Sequence, residues 1–250
     1  MSEQSPVVRL SAGVPGEPTR HGRVVLVVGG ERLPLDLTVP AGPVTMEALL
    51  PILRGLSSLF ADRAAARAEA AGRPISCRAG CGACCRQLVA LAPSEARALA
   101  RLVDAMPEPR RTMIRRRFEI ALEKLGDLID RTPTGTAEER TELSFAYFRL
   151  GIACPFLEAE SCSIHPDRPM VCREYLVSSP AENCRAPRPD NTEKLALDAY
   201  PFPALVDVEA GGWVPLVMAL RFRDENPEPA PFREAPAILR DVIGKLAEDT

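Results

Sequence analysis

Cys77-Arg78-Ala79-Gly80-Cys81-Gly82-Ala83-Cys84-Cys85 limits what this chain can become more than any other stretch. It packs four of the eight cysteines into nine residues. The other four, Cys154, Cys162, Cys172 and Cys184, fall in a second block about 30 residues long, and none lies elsewhere. Thiolates this dense, with glycine between them, are the pattern of a metal site. Glycine turns the backbone through φ > 0, so several sulfurs can converge on one point. The rest of the chain reads as a scaffold that brings the two blocks together.

The bulk numbers agree with such a scaffold. At 250 residues, 46% hydrophobic and 26% charged, the chain suits a soluble globular protein. A formal net charge of −3 provides no general attraction to nucleic acid or anionic membrane. No apolar run reaches the ~18 residues that a membrane span requires. Met1-Ser2-Glu3-Gln4-Ser5-Pro6 lacks a basic region followed by an apolar one, so no secretory signal is expected. The expected location is cytoplasmic, where thiols stay reduced and clustered cysteines serve as ligands or redox groups. Eight is an even number, and a framework of four disulfides is the alternative.

Hydropathy divides the chain further. Val7–Leu10 and Arg23–Val28 read as strands. Gly29-Gly30 then makes a hairpin turn into an alternating limb, Leu33–Val39. Pro34 should confine that limb to an edge or to its own start. From 45 to 71 the period becomes helical through Met46, Leu49, Leu50, Leu53, Leu56 and Phe60, with Thr45 as cap and Pro51 as a kink or first turn. Helices are expected at Pro93–Met106 and Arg110–Arg131, the latter with the stripe Ile114, Phe118, Leu122, Leu125 and Ile129. A turn at 132–135 leads to a capping box, Thr136 and Glu139, that opens a helix carrying Leu143, Tyr147 and Leu150. Residues 154–184 read as proline-rich loop with one helical turn near Met170–Leu176. Thr192–Ala199 reads as a short helix, Trp213–Leu220 as a strand, 226–231 as a linker and Ala237–Leu246 as a terminal helix.

Thiolate is a soft ligand that selects zinc, copper(I) or iron–sulfur clusters. Eight of them fill two four-ligand sites, or one site with spares. Cys84 and Cys85 are adjacent, and their side chains should diverge, which suits one tetrahedral zinc poorly. Cys81-x2-Cys84 is an ordinary metal knuckle, and Cys154-Pro155 is a step also found at cluster ligands. Cys77-x3-Cys81-x2-Cys84 matches the spacing of radical S-adenosylmethionine enzymes. Those place the loop after a barrel strand, whereas here a long helix precedes it, so the context argues against that fold. The chain shows no phosphate-cradling glycine loop, HExxH pair or G-x-S-x-G elbow.

Taken together, Cys81-Gly82-x-Cys84-Cys85-Arg86, Cys154-Pro155-Phe156-Leu157, Cys162 through Pro169 and Cys172-Arg173 resemble the YkgJ-type cysteine-cluster family. That family is also called the CxxCxxCC, or zinc- or iron-chelating, domain family. The resemblance covers about residues 75–185, with a first gap of three residues rather than two. It implies metal binding through the cysteines, with zinc or iron as the metal. Flagellin lysine N-methylases share a related pattern, which implies an iron–sulfur protein methyltransferase as the alternative.

The expected fold is α+β, mainly α: a helical scaffold around a cysteine-rich metal-binding loop region, with an N-terminal β-hairpin and a short C-terminal strand. The expected parts are an arm at 1–43, a cysteine-cluster domain at 44–200 and a C-terminal strand and helix at 201–250. The expected ligands are Cys77, Cys81, Cys84, Cys85, Cys154, Cys162, Cys172 and Cys184, holding an iron–sulfur cluster in preference to zinc. No catalytic residue is assigned, and whether the protein is an enzyme stays open. The expected partner is the metal or cluster, with no nucleic acid or membrane and no identified protein. His165 is a lesser ligand candidate. Arg168 and Arg173 either face the sulfurs or tie down the loop. The run Arg110–Arg117 reads as a solvated helix face. Phe145, Tyr147 and Phe148 read as core, and Tyr175 as packing around the metal.

Overall fold

The computed structural model describes residues 7–130, 136–188, 190–210, 212–227 and 231–248. Residues 1–6, Arg131 at the end of the expected helix, the turn at 132–135, residues 228–230 of the linker and the side chain of Ile129 lie outside the described residues. The architecture is α+β and mainly α, as the sequence implies.

The N-terminal strands are β1 (Val8–Ser11), β2 (Thr19–Val28) and β3 (Glu31–Pro40). Gly29 and Gly30, both at positive φ, close the β2–β3 hairpin as a turn of the kind whose twist matches the strands. The sheet order is β1-β3-β2, with β1 parallel to β3, so β3 is central. Pro34 therefore does not lie in an edge strand. Its tolerance has a local cause. A two-residue turn makes Val28 and Glu31 a hydrogen-bonded pair, so alternation puts Val25 and Pro34 at a non-bonded one. The proline nitrogen thus faces the β1 side, where pairing begins only at Leu35.

β4 (Pro43–Val44) leads through a 3-10 turn, Met46–Leu49, into α1 (Leu50–Ala70). Thr45 makes no side-chain cap, contrary to expectation, and Pro51 marks the first turn of α1 rather than a kink. Ile52, Leu53, Leu56, Phe60 and Ala64 repeat at helical spacing and pack against the inward β3 residues Leu33, Leu35, Leu37 and Val39. α7 (Pro201–Glu209) and α9 (Ala235–Glu248) complete this core, with Leu205, Ile238 and Val242 inside it.

A second core lies under α2 (Pro93–Asp104), α3 (Arg110–Leu125) and α8 (Ala219–Glu225). α3 ends at Gly126, φ 50°, and continues as a 3-10 turn, so the helix is shorter than its stripe suggests. α4 (Ala137–Arg149) opens with the expected box: the Glu139 amide donates to Thr136 Oγ1 at 3.2 Å, and the Thr136 amide to Glu139 Oε2 at 3.1 Å. β5 (Ala90–Leu91) pairs with β8 (Val214–Pro215), and β9 (Arg233–Glu234) pairs with β4.

Two readings of the C-terminal half need correction. Trp213–Leu220 is not one strand. Only Val214–Pro215 pairs; Leu216–Met218 is a 3-10 turn and Ala219 begins α8. The partner β5 is two residues long because Pro93 starts α2 just after it, so nothing remains to extend the ladder. Thr192–Ala199 is not a helix either. Its backbone pairs with the second cysteine block: Leu195 donates to the Leu176 carbonyl at 2.9 Å, Ser178 donates to Glu193 at 3.0 Å, and Lys194 bridges Val177. α7 is a helix that the reading missed. Pro201 at its first turn was the available signal. Among the described residues, no helix is long and apolar enough to cross a membrane.

Candidate metal centre

The first cysteine block leaves α1 through Gly72 and is pinned at once, where the Ser76 amide donates to the Val177 carbonyl at 2.9 Å. Successive tight turns follow: Cys81 to Arg78 at 3.0 Å, Cys85 to Gly82 at 3.1 Å and Gln87 to Cys84 at 3.0 Å. The second block meets it directly, since the Cys154 amide donates to the Cys85 carbonyl at 2.7 Å. Residues 154–184 hold more structure than a bare loop: β6 (Leu157–Glu158) and β7 (Ser161–Cys162) form a hairpin, and α5 (Met170–Glu174) and α6 (Ala181–Arg185) are single helical turns.

Several contacts hold these pieces in place. Phe156, fully buried, meets Phe118 of α3 edge-on with centroids 5.6 Å apart, a geometry that adds about 1 kcal/mol to area burial. Arg110 and Arg117 reach from α3 to Glu158, and Arg117 also donates to the Pro155 carbonyl at 3.1 Å. Part of the predicted solvated arginine face is thus a clamp on the hairpin. Arg86 grips Glu160 through both carboxylate oxygens, at 2.6 and 3.1 Å, joining the two blocks at the surface. The sequence reading missed the next two residues, both buried acids. Glu95 accepts the first amide of α5, from Met170, at 2.8 Å. Glu174 accepts Ser57 Oγ at 2.6 Å and the Phe202 amide at 3.0 Å, tying α5 to α1 and α7. Cys172 lies on α5 between these anchors.

All eight cysteines are free thiols, so the disulfide alternative is not the arrangement found. They line two adjoining cavities. Cys81, Cys84, Cys85, Cys154, Cys162 and Cys172 face one of ≈110 Å³. Cys77, Cys81, Cys84, Cys172 and Cys184 face the other, of ≈250 Å³. Cys81, Cys84 and Cys172 are common to both. Of the adjacent pair, Cys84 lines both cavities and Cys85 the smaller one. Among the described residues, no three His, Cys, Asp or Glu side chains stand close enough together to hold a metal ion; the sulfurs line the walls.

The electrostatics follow from packing so many thiols together. Burial pushes Cys154 up to about 12, and it raises Cys172 well above the ordinary thiol value, with Cys154, Cys84 and Cys162 adding to the effect. At Cys84 the hydrogen bond with Cys85 raises the pKa most, and burial adds to it. Burial also raises Cys77, Cys162 and Cys184. A soft cation reverses this balance by taking the place of the protons.

The arginines divide in two. Arg173 donates to the Arg168 carbonyl at 3.0 Å, to Ser58 Oγ at 3.0 Å and to the Pro166 carbonyl, and so ties down the loop. Arg168 lines both cavities, its buried Nε has no hydrogen-bond partner among the described residues, and its charge opposes the upward shift at Cys77, Cys84 and Cys162. A guanidinium with an unpaired buried nitrogen beside several thiols fits an anionic sulfur–metal centre. His165 also lines both cavities but is exposed. Tyr175 packs beside Cys184 and lines the smaller cavity with Gln87, and burial raises its pKa. Gln87 in turn donates to the Cys184 carbonyl at 3.1 Å.

Residues 76–195 match the model of the CxxCxxCC family, described as "Putative zinc- or iron-chelating domain". No curated protein and no solved structure matches the chain.

Proposed function

We propose that this chain, whose residues 76–195 carry a CxxCxxCC chelating domain, holds a polynuclear thiolate metal centre through all eight cysteines. The observation that carries the proposal is the sharing of Cys81, Cys84 and Cys172 between two adjoining cavities that together collect every cysteine. The larger cavity draws Cys77 and Cys184 to this shared wall, and the smaller draws Cys85, Cys154 and Cys162. One tetrahedral zinc and one iron–sulfur cluster each use four protein ligands, so eight thiols call for more than one metal ion, and the adjacent pair Cys84 and Cys85 and the Cys154-Pro155 step favour an iron–sulfur centre. Arg168 offsets thiolate charge, Arg173 holds the loop, and Glu95 and Glu174 orient the turn that bears Cys172. Free thiols throughout suit a reducing, cytoplasmic setting. The reading is of a metal-binding module.

The test is anaerobic purification followed by iron, acid-labile sulfide and zinc analysis and Mössbauer spectroscopy. The expected result is a coloured protein with matched iron and sulfide. Stoichiometric zinc in a colourless protein refutes the iron–sulfur part and leaves chelation standing. Metal-free, folded protein refutes the whole reading.

A further inference from the structure

A third cavity, of ≈560 Å³, adjoins the cysteine centre and shares Gln87, Leu88, Val171 and Tyr175 with its smaller chamber. Its volume falls in the range of small-molecule sites, ~300–1,000 Å³. Two kinds of wall meet there. Phe145 and Phe148, which the sequence assigns to the core, are only half-buried and supply apolar faces from α4. Arg140, Arg188 and Lys194 supply positive charge, and no Asp or Glu is among the described residues that line the cavity. Arg188 and Lys194 form no ion pair with a carboxylate among the described residues. Lys194 Nζ lies 5.2 Å from the centroid of the Tyr175 ring. Arg188 and Lys194 bring like charge to one wall, which is unfavourable, and an anion relieves that repulsion. The extended backbone at 192–195, which replaces the predicted helix, is what brings Lys194 to this wall.

We propose that this cavity binds a small molecule that joins one anionic group, phosphate or carboxylate, to an aromatic body, against the wall of the cysteine centre. The guanidinium of Arg188 and the ammonium of Lys194 take the anion. Phe145, Phe148 and the exposed part of Tyr175 take the ring. Tyr175 and Gln87 separate this site from Cys184, so the ligand packs beside the sulfurs without displacing them.

The test is calorimetric titration of the as-purified protein with phenyl phosphate, inorganic phosphate and benzyl alcohol, with amide shift mapping by NMR. The expected result is saturable binding of phenyl phosphate, at least about tenfold tighter than either half alone, with shifts at Phe148, Tyr175 and Lys194. Arg188→Glu with Lys194→Glu should weaken it at least about tenfold, and a thermal melt checks that this exposed pair of changes leaves the fold intact. Phe148→Ala should weaken phenyl phosphate and leave inorganic phosphate unchanged. No saturable binding, shifts confined to other surfaces, or indifference to the charge reversals overturns the proposal. Equal affinity for inorganic phosphate or for benzyl alcohol overturns it as well. Metal content is measured on the same sample. Binding is read whether iron, zinc or neither is found, so this site and the metal centre fail separately.

Discussion

Replacing Gly82 by alanine puts a methyl group where the two cysteine blocks touch. A Cβ at this position would lie 2.5 Å from Leu157 Cδ1, 2.6 Å from the Glu160 carbonyl oxygen and 2.8 Å from its carbon. The leucine tip can rotate away, but the Glu160 backbone cannot. It sits in the β6–β7 turn, where Ala159 and Glu160 already hold φ of 46° and 58°, and Arg86 grips its carboxylate. Ordinary contact begins at 3.4 Å, so the hairpin must retreat by about 0.8 Å. Overpacking of this kind costs about 1–3 kcal/mol. The reduced freedom of the unfolded chain returns roughly 0.4–1 kcal/mol, so the net effect is destabilising. Because the hairpin carries Cys162 and follows Cys154, metal content should fall together with stability. Gly80→Ala is the control. Its φ of 84° strains any side chain, but no atom of the described residues lies within 4 Å, so it should cost stability without separating the blocks. Urea melts, metal analysis and thiol accessibility at Cys154 and Cys162 distinguish the two variants. Gly82→Ala protein with wild-type midpoint, metal content and thiol accessibility would refute the close approach on which the centre is built.

Three further outcomes follow from the same contacts. Phe156→Ala should cost about 3–5 kcal/mol in urea melts and loosen the segment after Cys154, because it removes a fully buried ring and the edge contact with Phe118; a loss below 1 kcal/mol, on the order of a surface change, would contradict that anchoring. Burial, helped by Glu47 and Glu95, lifts Glu209 to about 7 from an unfolded value of 4.5. The folded state therefore binds the proton more tightly, and this group's contribution to stability falls as pH rises from about 4.5 to 7, by roughly 3 kcal/mol. Glu209→Gln should gain on wild type across that window in pH-dependent urea melts, and parallel curves would rule the shift out. Chelation should expose amides 154–184 to hydrogen exchange first and leave α3 protected, since Ile114 and Phe118 pack against Leu99, Val103 and Leu216 as well as against Phe156; uniform loss of protection would count against a loop held by its metal.

Much of this molecule could be read in one dimension, and the reason is the range of the forces involved. Periodicity and punctuation are local. The run from Leu53 to Phe60, the Gly29-Gly30 turn and the Thr136–Glu139 box each contain their own cause, and each element forms where those residues place it. Ligand chemistry is equally local, so the two cysteine blocks announced themselves through residue type and spacing alone. Register and partnership are not local. Pro34 is tolerated in a central strand only because β1 begins pairing one residue later. Residues 192–199 become extended because the carbonyl of Leu176 and the amide of Ser178 compete for their backbone, a bond no helix propensity can foresee. Trp213–Leu220 turns helical because β5 is too short to pair with more of it. The tertiary structure alone decides that Cys81, Cys84 and Cys172 stand between two chambers, that the buried Nε of Arg168 beside them has no partner among the described residues, and that Lys194 lies over Tyr175. Each of these joins residues far apart in the chain through packing and hydrogen bonding, and such contacts have no signature in any single stretch of sequence.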